Sequence, residues 1–404
     1  MADTELEQHI EGLIRREGPV TFARFMEMAL YRVPGGYYTS GEQLIGPQGD
    51  FYTSPLAHPA FGALIAVQLG EMWERLDAPS PFFVVEMGSG KGALAEDILT
   101  YSRHLSEGFL RALRYVTVER TQASRKRGWD AIASEGLPLR HLAGCILSNE
   151  LLDAMPVHRV VQREGALREI YVGLVDGDLA QVIDEPSTPR LKQRLDSLGV
   201  ALEEGQEAEV NLLLEHWVQE ISTSLDRGYV ISIDYGYPAK ELYSPSRPRG
   251  TLMCHYRHTA NRNPFLRVGR QDMTAHVDFS SVIALGEKHG LRACGMVSQA
   301  RFLANLGIRA FPERLRSLDL PSGEYHANMM GIRNLIDPEG LGNFRVLIQG
   351  KGQASEGLRG LCPQDPEGRG RPSKGRNLPV PTLTPHHIDL LRGKYPHMAW
   401  SPEE

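Results

Sequence analysis

Apolar residues recur at helical spacing from the start of the chain. Leu6, Ile10, Leu13 and Ile14 predict an amphipathic helix, with Thr4 and Glu7 in capping-box register. "TFARFMEMALY" predicts a second helix with Phe22, Phe25, Met26, Ala29 and Leu30 on its inner face, and a third runs from about Pro59 to Leu76. Between them lies "VPGGYYTSGEQLIGPQGDFYTSP", rich in turn residues but carrying Tyr37, Tyr38, Phe51 and Tyr52. Loops of this length inside compact proteins are usually functional or disordered, and the aromatics argue against disorder.

From Pro81 the texture alternates. "FFVVEMG", "LRYVTVER", "GCILSNE" and "GYVISIDYG" read as short apolar strands, and "GALAEDILTYSRHL" as a helix between the first two. Such alternation indicates a parallel, doubly wound α/β sheet. Residues 189–226 read as helical, and "FRVLIQ" as the last strand. The expected organisation is an N-terminal helical and loop region over 1–80 and a core over 81–350 with insertions near 189–226 and 240–330. A flexible Gly/Pro/Arg-rich linker over 351–380 and a tail over 381–404 follow.

Composition narrows the class. The 404 residues are 41% hydrophobic, enough for a large core, and the net charge of −6 gives no electrostatic case for nucleic-acid binding. The four cysteines include no CxxC pair, which argues for reduced thiols over a disulfide frame or a zinc site. No apolar run approaches the roughly 20 residues that span a bilayer. The acidic N-terminus lacks the marks of a signal or transit peptide, so a cytoplasmic location is expected.

"VVEMGSGKGA" sets Gly88, Gly90 and Gly92 between a strand and a helix. Glycines there allow a tight turn and let a ligand approach the positive helix N-terminus. Gly88, Gly90 and Ala93 also satisfy the loose dinucleotide pattern. Glu86 favours S-adenosylmethionine (SAM), whose sites commonly carry an acid here. Glu119, ending the next strand, is placed to accept both ribose hydroxyls of either cofactor. In doubly wound sheets ligands bind outside the strand carboxyl ends, so Asn149 and Glu150 emerge from "GCILSNE" beside the cofactor's reactive end. Taken singly, Asn149, Glu150 and Asp153 read as caps of a helix at "ELLDAM". Three together, downstream of a SAM-type loop, read as a site.

These blocks, with "GDFYTSP" (49–55), "NELLDAMPV" (149–157), "IDYGYP" (233–238), "GTLMCHYRH" (250–258), "DMTAHVDF" (272–279) and "SQARFLANLGI" (298–308), resemble the MidA-type methyltransferases. These are relatives of the mitochondrial complex I assembly factor that methylates a protein arginine. The resemblance spans about residues 5–350, departing at Ser89 and Lys91, where Pro and Arg are expected. The implied fold is a doubly wound, Rossmann-like class I methyltransferase sheet with an N-terminal helical region and helical or loop insertions. The implied activity is SAM-dependent methylation of a protein arginine, on a respiratory-complex subunit.

Under that resemblance Glu150, then Asp153, would fix the acceptor guanidinium, with Asp234 a further catalytic candidate. Asp50, Thr53, Ser54 and Asn149 join Glu86, Gly88, Gly90, Gly92 and Glu119 as cofactor ligands, the "GDFYTSP" loop folding over the cofactor's amino-acid end. Tyr235, His255 and His276 are candidates for the substrate cleft. The spacing of these histidines to other candidate ligands does not argue for a metal, and SAM transfer needs none. A non-catalytic SAM-binding assembly factor and a small-molecule methyltransferase are the alternatives; a NAD-dependent dehydrogenase fits Glu86 poorly. Oligomeric state does not follow from the sequence.

Overall fold

The computed structural model describes residues 5–40, 53–120, 129–257, 259–352, 357–362, 378–384 and 387. Thr4, Asp50, the turn-rich loop from 41 to 52 and His258 lie outside the described residues. The chain forms two compact units, one of Met1–Phe51, Leu152–Val218 and Gly236–Leu285, the other of Tyr52–Leu151, Gln219–Tyr235 and Gly286–Glu404. The expected breaks at 80, 350 and 380 all fall inside the second unit.

In the first unit, helices α1 (Glu5–Glu17) and α2 (Phe22–Tyr31) bury the apolar positions read from the sequence, including Leu6, Ile10, Phe22, Phe25 and Leu30. They accompany an antiparallel sheet ordered Val20–Thr21, Ala166–Val175, His158–Arg163, Glu207–Val210, with Asp178–Asp184 also on Ala166–Val175. The expected helical run over 189–226 is corrected here. Helices cover Arg190–Ser197 and Leu214–Ser224, but Glu207–Val210 is a strand. Its acids, on the face opposite Ala208 and Val210, are themselves satisfied. Glu207 pairs with Arg159 at 2.6 Å, and Glu209 accepts the Thr251 N–H at 2.7 Å, while Ala208 and Val210 are buried.

The second unit holds the five expected strands in a mixed sheet of seven; Asp130–Ala133 and Arg292–Ser298 were not expected, the latter lying where an insertion over 240–330 was expected. Its strands are β1 (Phe82–Met87), β2 (Leu113–Glu119), β3 (Asp130–Ala133), β4 (Leu142–Asn149), β5 (Leu225–Asp234), β6 (Arg292–Ser298) and β7 (Arg345–Lys351). The order is β6-β7-β5-β4-β1-β2-β3, parallel from β5 to β3, with β7 antiparallel to both neighbours. Strand order reverses between β1 and β4, the switch point at which such sheets bind ligands. A Cβ at Gly144 would fall 1.9 Å from the Phe83 carbonyl oxygen, so only glycine fits there between β4 and β1.

Helices α3 (Ser54–Ala57), α4 (Ala60–Arg75) and α5 (Ala93–Ser102) belong to this unit. Phe61, Leu64, Ile65 and Leu69 of α4 share one core with Val84, Cys145, Leu147 and Ile231 of the sheet. The reading of residues beyond 350 as a linker with little to bury also needs correction. Leu358 is fully buried in this core, and Leu361, Leu378 and Val380 pack against it.

Candidate active site

Beyond β1 the chain turns through Gly88, Gly90 and Gly92 at φ of +74°, +53° and +74°. Such angles favour glycine, and they fold the loop tightly before α5. The Gly88 N–H donates to the Val118 carbonyl at 3.0 Å, fixing the loop beside the end of β2. Glu119 terminates β2 and turns its carboxylate onto this loop, where Oε1 accepts the Gly90 N–H and, at 3.2 Å, the Ser89 hydroxyl. Burial raises the Glu119 pKa, and the Gly90 and Ser89 bonds oppose the rise. Ser89, a departure from the family pattern, thus supplies a donor that proline lacks.

Glu86 lies elsewhere than the sequence suggests. Its side chain is 3% exposed and accepts the Tyr115 hydroxyl at 2.8 Å. Register explains the pair, because Val84 lies opposite Tyr115 and Glu86 opposite Thr117, on one face of β1 and β2. Burial pushes the Glu86 pKa from 4.5 up to about 8, the Tyr115 bond opposing and Glu119 adding to the rise. Glu86 is therefore protonated at neutral pH, and it contributes shape and a hydrogen bond, not a charge. The folded chain holds this proton from pH 4.5 up to about 8 and the unfolded chain does not. Stability from this group is thus lost as pH rises through that window. Glu86→Gln, neutral throughout, should flatten the pH dependence of the urea midpoint; parallel slopes for variant and wild type would mean that native Glu86 is already ionised.

The end of β4 carries the second half of the site. Glu150 has φ +51°, a conformation few non-glycine residues hold and one that clusters at functional sites. Two bonds to β5 maintain it: the Glu150 N–H donates to the Ile233 carbonyl at 2.9 Å, and the Leu151 N–H to Asp234 Oδ2 at 3.2 Å. Glu150 Oε1 in turn accepts the Asn149 side-chain amide at 2.9 Å and the Ser54 N–H at 3.3 Å. Asp234, fully buried, also accepts the Tyr235 N–H at 2.9 Å through Oδ1. Its oxygens hold the turn that presents Glu150. The Tyr235 ring lies tilted against Phe344, their centroids 5.4 Å apart.

The Ser54 hydroxyl, expected on the cofactor, donates instead to Gln299 Oε1 at 3.0 Å, and Gln299 is itself fully buried. Thr53 caps α3 with its carbonyl, which accepts from Leu56 and Ala57. Gln299 and Tyr115 were not among the sequence candidates. Gln299 follows the helix-capping Ser298 and reads as ordinary helix-start polarity, whereas the register of β1 on β2 would have revealed Tyr115.

Three candidates belong to the first unit. Asp153 is 5% exposed, and its carbonyl accepts the Ala275 N–H at 3.0 Å. His255 lies in the strand Met253–Tyr256, opposite Ala260 and Asp272. His276 donates its N–H to the Thr251 hydroxyl at 3.0 Å and sets its ring 5.5 Å from Tyr237. Burial, with the Arg247 and Arg262 charges, lowers its pKa to about 4, so it is a neutral imidazole at pH 7.

The second unit fits a nucleoside bearing an amino-acid chain. It offers a left-handed glycine loop, a carboxylate at the end of β2, and Asn149 Oδ1, a buried acceptor with no hydrogen-bond donor among the described residues. The family model for S-adenosyl-L-methionine-dependent methyltransferases matches residues 64–297. The mitochondrial protein arginine methyltransferase NDUFAF7 homolog of Drosophila melanogaster is 27% identical over 379 residues, covering 85% of this chain and 84% of its own length. Human mitochondrial NDUFAF7 is 27% identical over 392 residues, covering 85% and 83%. A Burkholderia thailandensis crystal structure with S-adenosylhomocysteine bound shares the fold at a TM-score of 0.77 and 29% identity, over 88% of this chain and 94% of that one.

These relatives overturn the expected cytoplasmic location, since they are named as mitochondrial proteins. That expectation leaned on the acids of the N-terminus. Residues 5–17 form α1 with four side chains in the core, so their composition reports on folding and not on address. No helix among the described residues is long and apolar enough to cross a membrane. A doubly wound sheet with a glycine loop at its switch point, matched by the family over more than half its length, makes this chain a member of the S-adenosylmethionine-dependent methyltransferase family, with S-adenosylmethionine as its cofactor.

Proposed function

We propose that this methyltransferase acts on an arginine guanidinium of a protein and that Glu150 grips that guanidinium. The observation carrying the reading is the Glu150 carboxylate, held in a left-handed turn at the end of β4 and oriented through Oε1 by Asn149 and Ser54. SAM supplies an already activated methyl group, so the protein's task is alignment of an in-line displacement. A guanidinium is planar, delocalised and always charged, hence a poor nucleophile. A fixed carboxylate holds its plane and draws positive charge away from the attacking nitrogen. In this reading Gly88, Gly90 and Gly92 admit the cofactor, Glu119 accepts its ribose hydroxyls and Asn149 Oδ1 accepts from its amino group. Thr53 stands beside that end, and Asp234 maintains the turn.

The protein arginine methyltransferases among the relatives support both the protein substrate and the arginine. The family resemblance favours a respiratory-complex subunit. Incubation of the purified chain with radiolabelled SAM and host lysate, followed by mass spectrometry, tests the reading. Methylarginine in a labelled protein is expected. Label confined to small molecules would overturn it.

A further inference from the structure

We propose that residues 378–384 and 387 form a positioning strap for the transfer site, with His387 acting through α3 on Glu150. The proposal rests on the role given to Glu150 above. α3 presents the Ser54 N–H to the Glu150 carboxylate, so whatever fixes α3 fixes that carboxylate. Three contacts do so. Gln299 takes the Ser54 hydroxyl. A Cβ at Gly331 would fall 2.6 Å from the Ala57 carbonyl oxygen, so the helix Ser322–Ile336 lies close against the end of α3. The third contact is His387.

His387 is 2% exposed, and its Nε2 lies 3.1 Å from the Pro55 carbonyl oxygen and 3.3 Å from Asp97 Oδ2. A carbonyl only accepts, so Nε2 carries the proton. Nδ1 lies 2.7 Å from the Thr384 hydroxyl. Asp97 belongs to α5, the helix that follows the glycine loop, so one imidazole ties α3 to α5. The strap leading to it is anchored step by step. Leu378 and Pro379 carbonyls accept from Arg314 at 2.7 Å and from the Tyr101 hydroxyl at 2.9 Å. The Leu383 N–H donates to Asn328 Oδ1 at 2.8 Å, and that oxygen also meets His58 Nε2 at 3.1 Å. His58 Nδ1 accepts the Ala60 N–H at 3.0 Å, so its Nε2 is the donor. The His387 contacts with Pro55 and Asp97 and the His58 contacts are buried, and those of Leu378, Pro379 and Leu383 are half-buried. A surface tail has no need of a buried histidine on the carbonyl of a site element.

Amide hydrogen exchange on the full chain tests this. His387→Leu keeps apolar bulk but removes the donor, and should speed exchange across residues 53–57 by about tenfold, the consequence of one lost buried hydrogen bond. His387→Gln, whose amide places an N–H near Nε2, should restore protection. Transfer of label from SAM to lysate protein should follow the same order, with S-adenosylhomocysteine affinity held. Unchanged protection in His387→Leu overturns the proposal, as does loss of protection that His387→Gln fails to restore. Glu150→Gln is assayed in parallel. Normal transfer in that variant defeats the reading of Glu150, while exchange at 53–57 judges the strap independently.

Discussion

Glu150→Gln is expected to leave S-adenosylhomocysteine affinity nearly unchanged and to slow methyl transfer by roughly 10²–10³-fold, a loss of about 3–4 kcal/mol in transition-state stabilisation. The glutamine retains the side-chain length and an oxygen for the Asn149 amide and the Ser54 N–H, so the turn at φ +51° should survive. The bonds from Glu150 N–H to Ile233 and from Leu151 N–H to Asp234 are untouched by the change. What disappears is the negative charge and the second acceptor oxygen, the two properties suited to a planar guanidinium. Calorimetry gives the affinity, and single-turnover label transfer gives the rate. A variant that binds weakly but turns over normally at saturation would make Glu150 a cofactor ligand. Normal binding with normal turnover would remove Glu150 from the mechanism.

Five of the sheet's seven strands were legible because they are short, apolar and bounded by glycine or charge, whereas Asp130–Ala133 and Arg292–Ser298 were missed. "FFVVEM", "ILSN" and "VISID" announce themselves by hydrophobicity alone. The first unit's sheet was not, since "HRVVQR" and "ALREIYVGLV" mix charge into both faces and "EAEV" is only four residues long. Arg159 and Glu207 form an ion pair between paired neighbouring strands there, and such pairs erase the contrast on which periodicity depends. Burial of the C-terminal segment was equally hidden. It rests on single residues such as Leu358 and His387, spaced too far apart to form a pattern.

For the site, strand ends located the residues but not their orientations. Glu119 and Glu150 both emerge where the doubly wound rule places them. Glu86 lies on the same strand as the glycine loop, yet side-chain alternation turns it toward Tyr115. The Ser54 hydroxyl illustrates a different limit. Its partner Gln299 is 245 positions away, and no local pattern reports such a pairing.

Gly90→Val should weaken S-adenosylhomocysteine binding by about a hundredfold, near 2.7 kcal/mol, while sparing the fold. Gly90 has φ +53°, where an ordinary L-residue is strained by roughly 1–2 kcal/mol and a β-branched one fares worse. Relief requires the loop to rotate, which carries the Gly90 N–H away from Glu119 Oε1. Binding returns the loop to that strained angle, and this cost together with the bulk of the valine side chain reaches the expected magnitude. The valine side chain also occupies the space through which the backbone meets a ligand. Global stability should change little, because Gly90 is exposed, in contrast to Gly92, where a Cβ would meet the Trp129 ring at 2.8 Å. Calorimetric titration beside a thermal melt separates the two effects. A variant that melts like wild type and binds within about threefold of it, less than 0.7 kcal/mol, would show that the glycine loop does not admit the cofactor.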